Sequence, residues 1–230
     1  MSTAIEASGL GKRYGASEVL REVTFALEAG SKTALLGANG AGKTTLLAVL
    51  STLATASSGS ASVAGCAVDG APAALRRRIG VLTHRPMLYE ALSPIENLRF
   101  FARLYGVPDA AARVEELLRA VGLWRRRDEP TAVLSRGYHQ RLAIARALVH
   151  RPEVLLLDEP ETGLGGEGVG LLDALMLRAP GLTVLAATHR VDRIEAWADG
   201  RLTRERGRVA AGAEAGAGVA LAGTLSGGAR

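Results

Sequence analysis

Gly37-Ala38-Asn39-Gly40-Ala41-Gly42-Lys43-Thr44 decides how this chain is read: glycines at the first and sixth positions, followed by Lys and Thr, form the pattern of a phosphate-binding loop. From the chain's own composition, a chance match anywhere along its length has a probability of about 0.5%. Phosphate charges are held where backbone N–H groups converge, and glycine permits the positive φ angles and close approach that such a nest needs. Lys43 is placed to reach the β- and γ-phosphates of a nucleotide, and Thr44 to coordinate Mg²⁺. Gly37, Ala38, Asn39, Gly40, Ala41, Gly42 and Thr45 complete the expected cradle, with a helix dipole directed at the anion.

The flanks agree with this reading. Thr33-Ala34-Leu35-Leu36 is a short apolar strand entering the loop, and Thr44 to Leu50 reads as the helix leaving it. Upstream, Val23, Phe25 and Leu27 alternate with Thr24, Ala26 and Glu28 as in a half-buried strand ending at Ala29-Gly30. Downstream, Ser57-Ser58-Gly59-Ser60 reads as a flexible connection and Ile79 to Leu82 as another strand. Ser93-Pro94-Ile95-Glu96 then opens a helix carrying Leu98, Phe101, Leu104 and Tyr105 on one face. Asp109 can cap a second helix with Val114, Leu117, Leu118 and Val121 at helical spacing and Gly122 at its end. Val154 to Leu157 and Leu182 to Ala187 are unbroken apolar runs separated by a helical stretch, Val169 to Leu177, as a sheet buried on both faces requires. The expectation is an α/β core in residues 1–209, interrupted by a helical subdomain at about 85–150. Arg204 to Arg208 reads as an exposed hairpin, and the Ala/Gly-rich residues 210–230 as a mobile tail.

A second group of chemistry-bearing residues ends those later strands. Asp158 and Glu159 follow an apolar run and belong at the carboxyl edge of the sheet, where open α/β folds bind ligands. Beside a phosphate loop, Asp158 can hold Mg²⁺ through water, and Glu159 can polarise an attacking water. His189 follows the next strand and should emerge at the same edge, as a donor near the γ-phosphate and an orienting partner for Glu159.

Composition narrows the alternatives. The 230 residues include 25 Arg and only 3 Lys, with a formal charge of +5 and a pI near 9.9. Arg76 to Arg78 and Arg125 to Arg127 resemble phosphate contacts, but aromatics are 4% of the chain and are not interleaved with these runs, so nucleic acid is disfavoured as a partner. Hydrophobic residues at 48% can supply a sizeable core. Cys66 stands alone, no export leader is apparent and no span is apolar enough for a bilayer, which together point to a reducing cytoplasm.

Taken with Leu134-Ser135-Arg136-Gly137-Tyr138-His139-Gln140-Arg141, these segments resemble the ATP-binding subunits of ABC transporters from about residue 4 to 209. The resemblance implies a P-loop NTPase of ABC-ATPase type, with ATP and Mg²⁺ as ligands. It also implies two subunits meeting head to tail around two ATP molecules, integral membrane partners, and a peripheral position at the cytoplasmic face of the membrane. By the same resemblance Ser135 and Gly137 contact ATP held by the partner subunit, and Tyr14 stacks on adenine. Three positions depart from the family pattern: His84 stands where a Mg²⁺-contacting Gln is usual, Arg136 and Tyr138 replace a Gly and a Gln, and Gly165 replaces an Asp that crosses the dimer interface. His84 with Pro86, Ile95 to Phe101, Gly168-Val169 and Ala187 to Arg190 further resemble the ATPase of the cytochrome c maturation haem exporter. The alternative is a drug, lipid or polysaccharide exporter. Nothing in the chain would bind haem itself, since Cys-x-x-Cys-His is absent. Two rival classes fit less well. A non-transport ATPase of this fold acting on nucleic acid or ribosomes would need additions for which the length leaves no room, and a P-loop kinase would not need residues 134–141.

Overall fold

The computed structural model describes residues 2–70, 72–205, 208–211 and 219–220. β3 (Lys32–Gly37) runs into the glycine-rich turn and α1 (Lys43–Leu50) leaves it. With β6 (Ile79–Leu82), β7 (Val154–Asp158), β8 (Thr183–Ala187), β9 (Gly200–Glu205) and β10 (Arg208–Ala211), β3 builds a six-stranded sheet in the order β10-β9-β3-β8-β7-β6. Its pairings are parallel except β9 with β10. Both faces of this sheet are covered, which is why β7 and β8 read as continuous apolar runs. Alternation along the strands divides the core: Leu155, Leu157, Val184 and Ala186 pack toward the helices, while Val154, Leu156, Leu185 and Ala187 pack toward α1 and a second sheet.

That second sheet is antiparallel and joins β1 (Thr3–Tyr14), β2 (Ser17–Glu28), β4 (Ser58–Val63), β5 (Cys66–Ala67) and β11 (Val219–Ala220) in the order β11-β2-β1-β4-β5. It corrects the reading of residues 57–60 as a connection, because Ser58 and Ser60 pair with Gly11 and Ser8. Gly59 has φ +71°, and a Cβ there would lie 2.2 Å from the Gly9 carbonyl oxygen, so glycine is what lets β4 approach β1. The expected tail is also amended. Ala210 and Ala211 continue β10, and Val219–Ala220 pairs with Leu27 and Ala26 of β2; residues 212–218 and 221–230 lie outside the described residues. The strands of the expected hairpin pair from Glu205 and Arg208, with residues 206–207 outside the described set.

Between β6 and β7 the chain is helical. α3 (Pro94–Tyr105) starts with the capping box read from the sequence: Ser93 Oγ accepts from the Glu96 N–H, and the Glu96 carboxylate accepts from the Ser93 N–H at 2.8 Å. Its buried face is Pro94, Asn97, Leu98 and Ala102, whereas Leu104 is 63% exposed. The Leu104 assignment is thereby corrected: positions 94, 97, 98, 101, 102 and 105 share one stripe at 3.6 residues per turn, and 104 falls off it. α4 (Ala110–Ala120) buries Val114, Leu117 and Leu118; Asp109 holds its N-cap position in a left-handed conformation without a side-chain bond. α5 (Arg136–Leu148) and α6 (Gly166–Arg178) complete the helices, with α2 (Ala73–Arg78) preceding β6. The run Arg76 to Arg78 is structural in part: Arg78 pairs with both carboxylate oxygens of Glu153 at 2.6 and 2.8 Å.

Candidate functional site

Strand order brings the chemistry together. β8 lies between β3 and β7, with Leu35 opposite Ala187 and Ala187 opposite Asp158. The loop after β3, the carboxylates ending β7 and the His following β8 therefore leave the same sheet edge side by side.

The loop is built by its glycines. Gly40 and Gly42 have φ of 77° and 86°, and Gly42 is the N-cap of α1 in a left-handed conformation. Lys43 is buried, its ammonium donating to the carbonyls of Gly37 at 2.7 Å and Ala38 at 3.2 Å, which fixes the side chain across the turn. The Thr44 hydroxyl stands beside the Asp158 carboxylate and favours its charged form. Asp158 is 7% exposed, and burial raises its pKa, against the Thr44 hydroxyl and the charges of Lys43 and His84. A buried carboxylate beside a hydroxyl is a set of hard oxygen donors suited to Mg²⁺ when nucleotide oxygens and water fill the remaining positions. Among the described residues no group of three His, Cys, Asp or Glu could hold a metal by itself.

Glu159 has a left-handed backbone, φ +49°, kept there by its N–H donating to the Ala187 carbonyl at 2.9 Å. A non-glycine residue in this region is strained and persists where neighbours over-determine it, as they do here. Its carboxylate meets His189 Nδ1 at 2.5 Å. A carboxylate only accepts, so Nδ1 carries the proton, and Nε2 has no protein partner among the described residues.

His84, after β6, joins this edge: Thr83, His84, Pro86, Arg136, His139, Gln140, Asp158, Glu159 and Thr162 line one cleft of about 120 Å³. His139 and Gln140 were not singled out from the sequence. They follow a signature read for Ser135 and Gly137, and α5 turns them inward: Gln140 Nε2 donates to the Pro160 carbonyl at 3.0 Å, and His139 Nε2 meets the Thr131 carbonyl at 2.7 Å. Helical spacing from the N-cap was the available signal.

Ser135 is the N-cap of α5, and Tyr138 N–H donates to its Oγ. Gly137 faces Gly163, whose carbonyl oxygen a Cβ at 137 would approach to 2.9 Å. Neither residue lines the cleft; Arg136 between them does. The Tyr138 departure has a local explanation. Its ring lies under two guanidinium groups, Arg126 at 4.8 Å and Arg141 at 5.5 Å, so an aromatic ties the first turn of α5 to residues 124–126. Arg146 and His150 fasten the other end of α5 to β6, on the carbonyls of Val81 and Ile79. Tyr14 ends β1 and is 52% exposed, with Lys12 over its ring at 4.8 Å. Gly165 is the N-cap of α6.

Fold and site define a P-loop NTPase with an antiparallel sheet and a helical segment around the nucleotide edge. The ABC transporter family model matches residues 20–162. The linearmycin resistance ATP-binding protein LnrL of Bacillus subtilis is 32% identical over 85% of this chain and 64% of its own length. The Nod factor export ATP-binding protein I of Burkholderia orbicola is 38% identical over 90% of this chain and 70% of its own. The chain thus spans about two thirds of the length of these curated relatives. A solved structure described as the ATP binding subunit of an ABC transporter superposes with a TM-score of 0.85 at 33% identity, covering 91% of this chain and 90% of that one. The chain belongs to the ABC transporter family as an ATP-binding domain.

Proposed function

We propose that the chain is the motor of a membrane exporter, hydrolysing Mg²⁺-bound ATP at a composite site completed by a second copy. The observation that carries this reading is the Glu159–His189 contact beside the Asp158–Thr44 pair, on one sheet edge with the phosphate loop. Gly37 to Thr45 bind the phosphates, and Lys43 transfers its ammonium from loop carbonyls to phosphate oxygens. Thr44 and Asp158 hold Mg²⁺, with His84 at the cleft wall as a further contact. When bound, the ion neutralises phosphate charge and orients the leaving group. Glu159 accepts a hydrogen bond from the attacking water, and His189 orients Glu159 through Nδ1–H while Nε2, when the ring carries its second proton, donates to the γ-phosphate. Ser135 and Gly137 lie off this chain's own cleft, which supports their contacting nucleotide across a head-to-tail dimer; Tyr14 stacks on adenine by its exposed face.

No helix among the described residues is long and apolar enough to cross a membrane. Met87, Tyr89, Phe100 and Leu104 are exposed apolar side chains close after His84, with Tyr89 and Phe100 edge to face at 4.9 Å. Such a patch beside a catalytic cleft supports docking of an integral membrane subunit, and so a peripheral place at the cytoplasmic face. Residues 1–209 form the ATPase unit in this reading, with 85–150 as its helical subdomain. For cargo, His84, Pro86 and Ile95 to Phe101 support haem export for cytochrome c maturation, haem being carried by the membrane partners. The names of the two relatives, linearmycin resistance and Nod factor export, favour the alternative of a drug, lipid or polysaccharide exporter instead.

Glu159→Gln tests the composite site. Keeping the shape but losing the base, it should hold ATP and Mg²⁺ in a stable dimer that sedimentation detects; a monomer at saturating Mg²⁺-ATP overturns the reading. Cells lacking the chain should accumulate apocytochrome c if haem is the cargo, and unaltered holocytochrome excludes it.

A further inference from the structure

Directly behind the Glu159–His189 contact lies a charged cluster that the mechanism above does not use. Glu161, two residues after Glu159, points inward, its side chain only 8% exposed. Its carboxylate accepts from Thr188 Oγ1 at 3.3 Å and faces Arg193 Nε at 3.8 Å. Arg193 is also paired with Asp173 of α6, Nη2 to Oδ2 at 2.5 Å. Thr188 is buried and accepts in turn from the Arg190 N–H at 3.0 Å, so its hydroxyl bridges the turn around His189 and the carboxylate of Glu161. His189 itself is largely exposed, at 62%, and packing alone does not locate its ring.

We infer that Glu161, with Arg193, is a positioning device for His189. Resting on the assignment of His189 as the partner of Glu159, the argument is geometric. The loop 158–162 and the turn 187–190 each leave a different strand, and the backbone bond from Glu159 N–H to the Ala187 carbonyl joins them at the strand ends. The Thr188 N–H holds the turn to the Leu35 carbonyl at 3.3 Å, and the Glu159–His189 contact is the link whose direction has to be set. The Glu161–Thr188 bond adds a side-chain joint between the same two segments at the residue before His189, and so restrains the direction in which the His ring leaves the turn. An unpaired buried carboxylate would be costly, and Arg193 supplies the opposing charge, anchored on α6 by Asp173. Burial raises the Glu161 pKa by more than the Thr188 bond and the Arg193 and Arg190 charges lower it, and the Asp173 carboxylate raises it further. The pair therefore acts through His189 on the orientation of Glu159, where a small misplacement of a reacting group costs rate and not binding.

The experiment is a double-mutant cycle on ATPase activity of the full chain, using Glu161→Gln, His189→Ala and the double variant. Glu161→Gln should lower kcat roughly tenfold with KM for ATP within about twofold, because the ground-state contacts of the nucleotide are untouched. Glu161→Asp should restore part of kcat. In the His189→Ala background, Glu161→Gln should have no further effect, since the residue it positions is gone. A purely structural role for Glu161 predicts an equal loss in both backgrounds, and that result, or an unchanged kcat in Glu161→Gln, overturns the proposal. If Glu161→Gln does not fold, Arg193→Gln replaces it in the cycle with the same expectations. An unchanged kcat in His189→Ala alone would overturn the role of His189 separately.

Discussion

Gly165→Asp isolates a position where the family pattern and this chain disagree. Gly165 is the N-cap of α6 with φ −76° and ψ 174°, an extended conformation open to any residue, and a Cβ there would meet nothing within 4 Å. No side chain caps the helix. An Asp carboxylate would accept from the N–H groups of the first turn, a gain over Gly of a few tenths of a kcal/mol. The positive end of the helix adds about 0.5 kcal/mol at low salt, and loss of glycine's freedom in the unfolded chain adds about 0.5 kcal/mol. Glu167, two residues on, does not face the new carboxylate on the helix surface. The net expectation is about 1 kcal/mol of stabilisation, or a rise of about 2–4 °C in Tm for a domain of this size. Thermal unfolding without nucleotide measures it, and about half the gain should vanish in high salt because that part is electrostatic. In the Glu159→Gln background the same substitution should tighten ATP-driven association, if residue 165 crosses the dimer interface as the resemblance implies. A fall in Tm, or a gain indifferent to salt, would refute the open N-cap on which the calculation rests.

Two further outcomes follow from local geometry. Ser93→Ala removes the acceptor of the capping box that starts α3 and should cost about 1 kcal/mol, read as a Tm lower by a few degrees with kcat per folded molecule unchanged. His150 stacks on Tyr105 with centroids 3.9 Å apart, and burial lowers its pKa below the usual 6.5, helped by the charges of Arg146 and Arg113. Folding therefore favours the neutral ring, so stability is complete above the unfolded value and is lost as pH falls from about 6.5 toward the folded pKa. His150→Gln keeps a donor for the Ile79 carbonyl, and should flatten the fall of Tm between about pH 7 and 5; an unchanged slope rejects the assignment.

What the sequence made legible is what local residues decide. The phosphate loop is eight consecutive residues, the α3 cap is four, and Asp158-Glu159 closes an apolar run, so each carries its own signal. β4 does not: Ser58-Gly59-Ser60 has turn composition and becomes a strand through its fit to Gly9, 50 residues earlier in the chain. Leu104 and Ala102 show the same limit in a helix, where the side facing the core depends on which neighbour arrives, and the smaller residue was placed inward. The site divides along this line. Lys43 was readable from the loop motif, and Asp158, Glu159 and His189 because they close or follow unbroken apolar runs, and parallel pairing then brings these segments to one edge. Glu161 was not, since a carboxylate between Pro160 and Thr162 looks solvated until Thr188, just after β8, and Arg193, held by Asp173 of α6, meet it. Groups that meet the nucleotide are marked locally because a fixed ligand constrains them to fixed spacings; groups that hold those residues in place answer only to packing, and are found where a buried charge has partners far away in sequence.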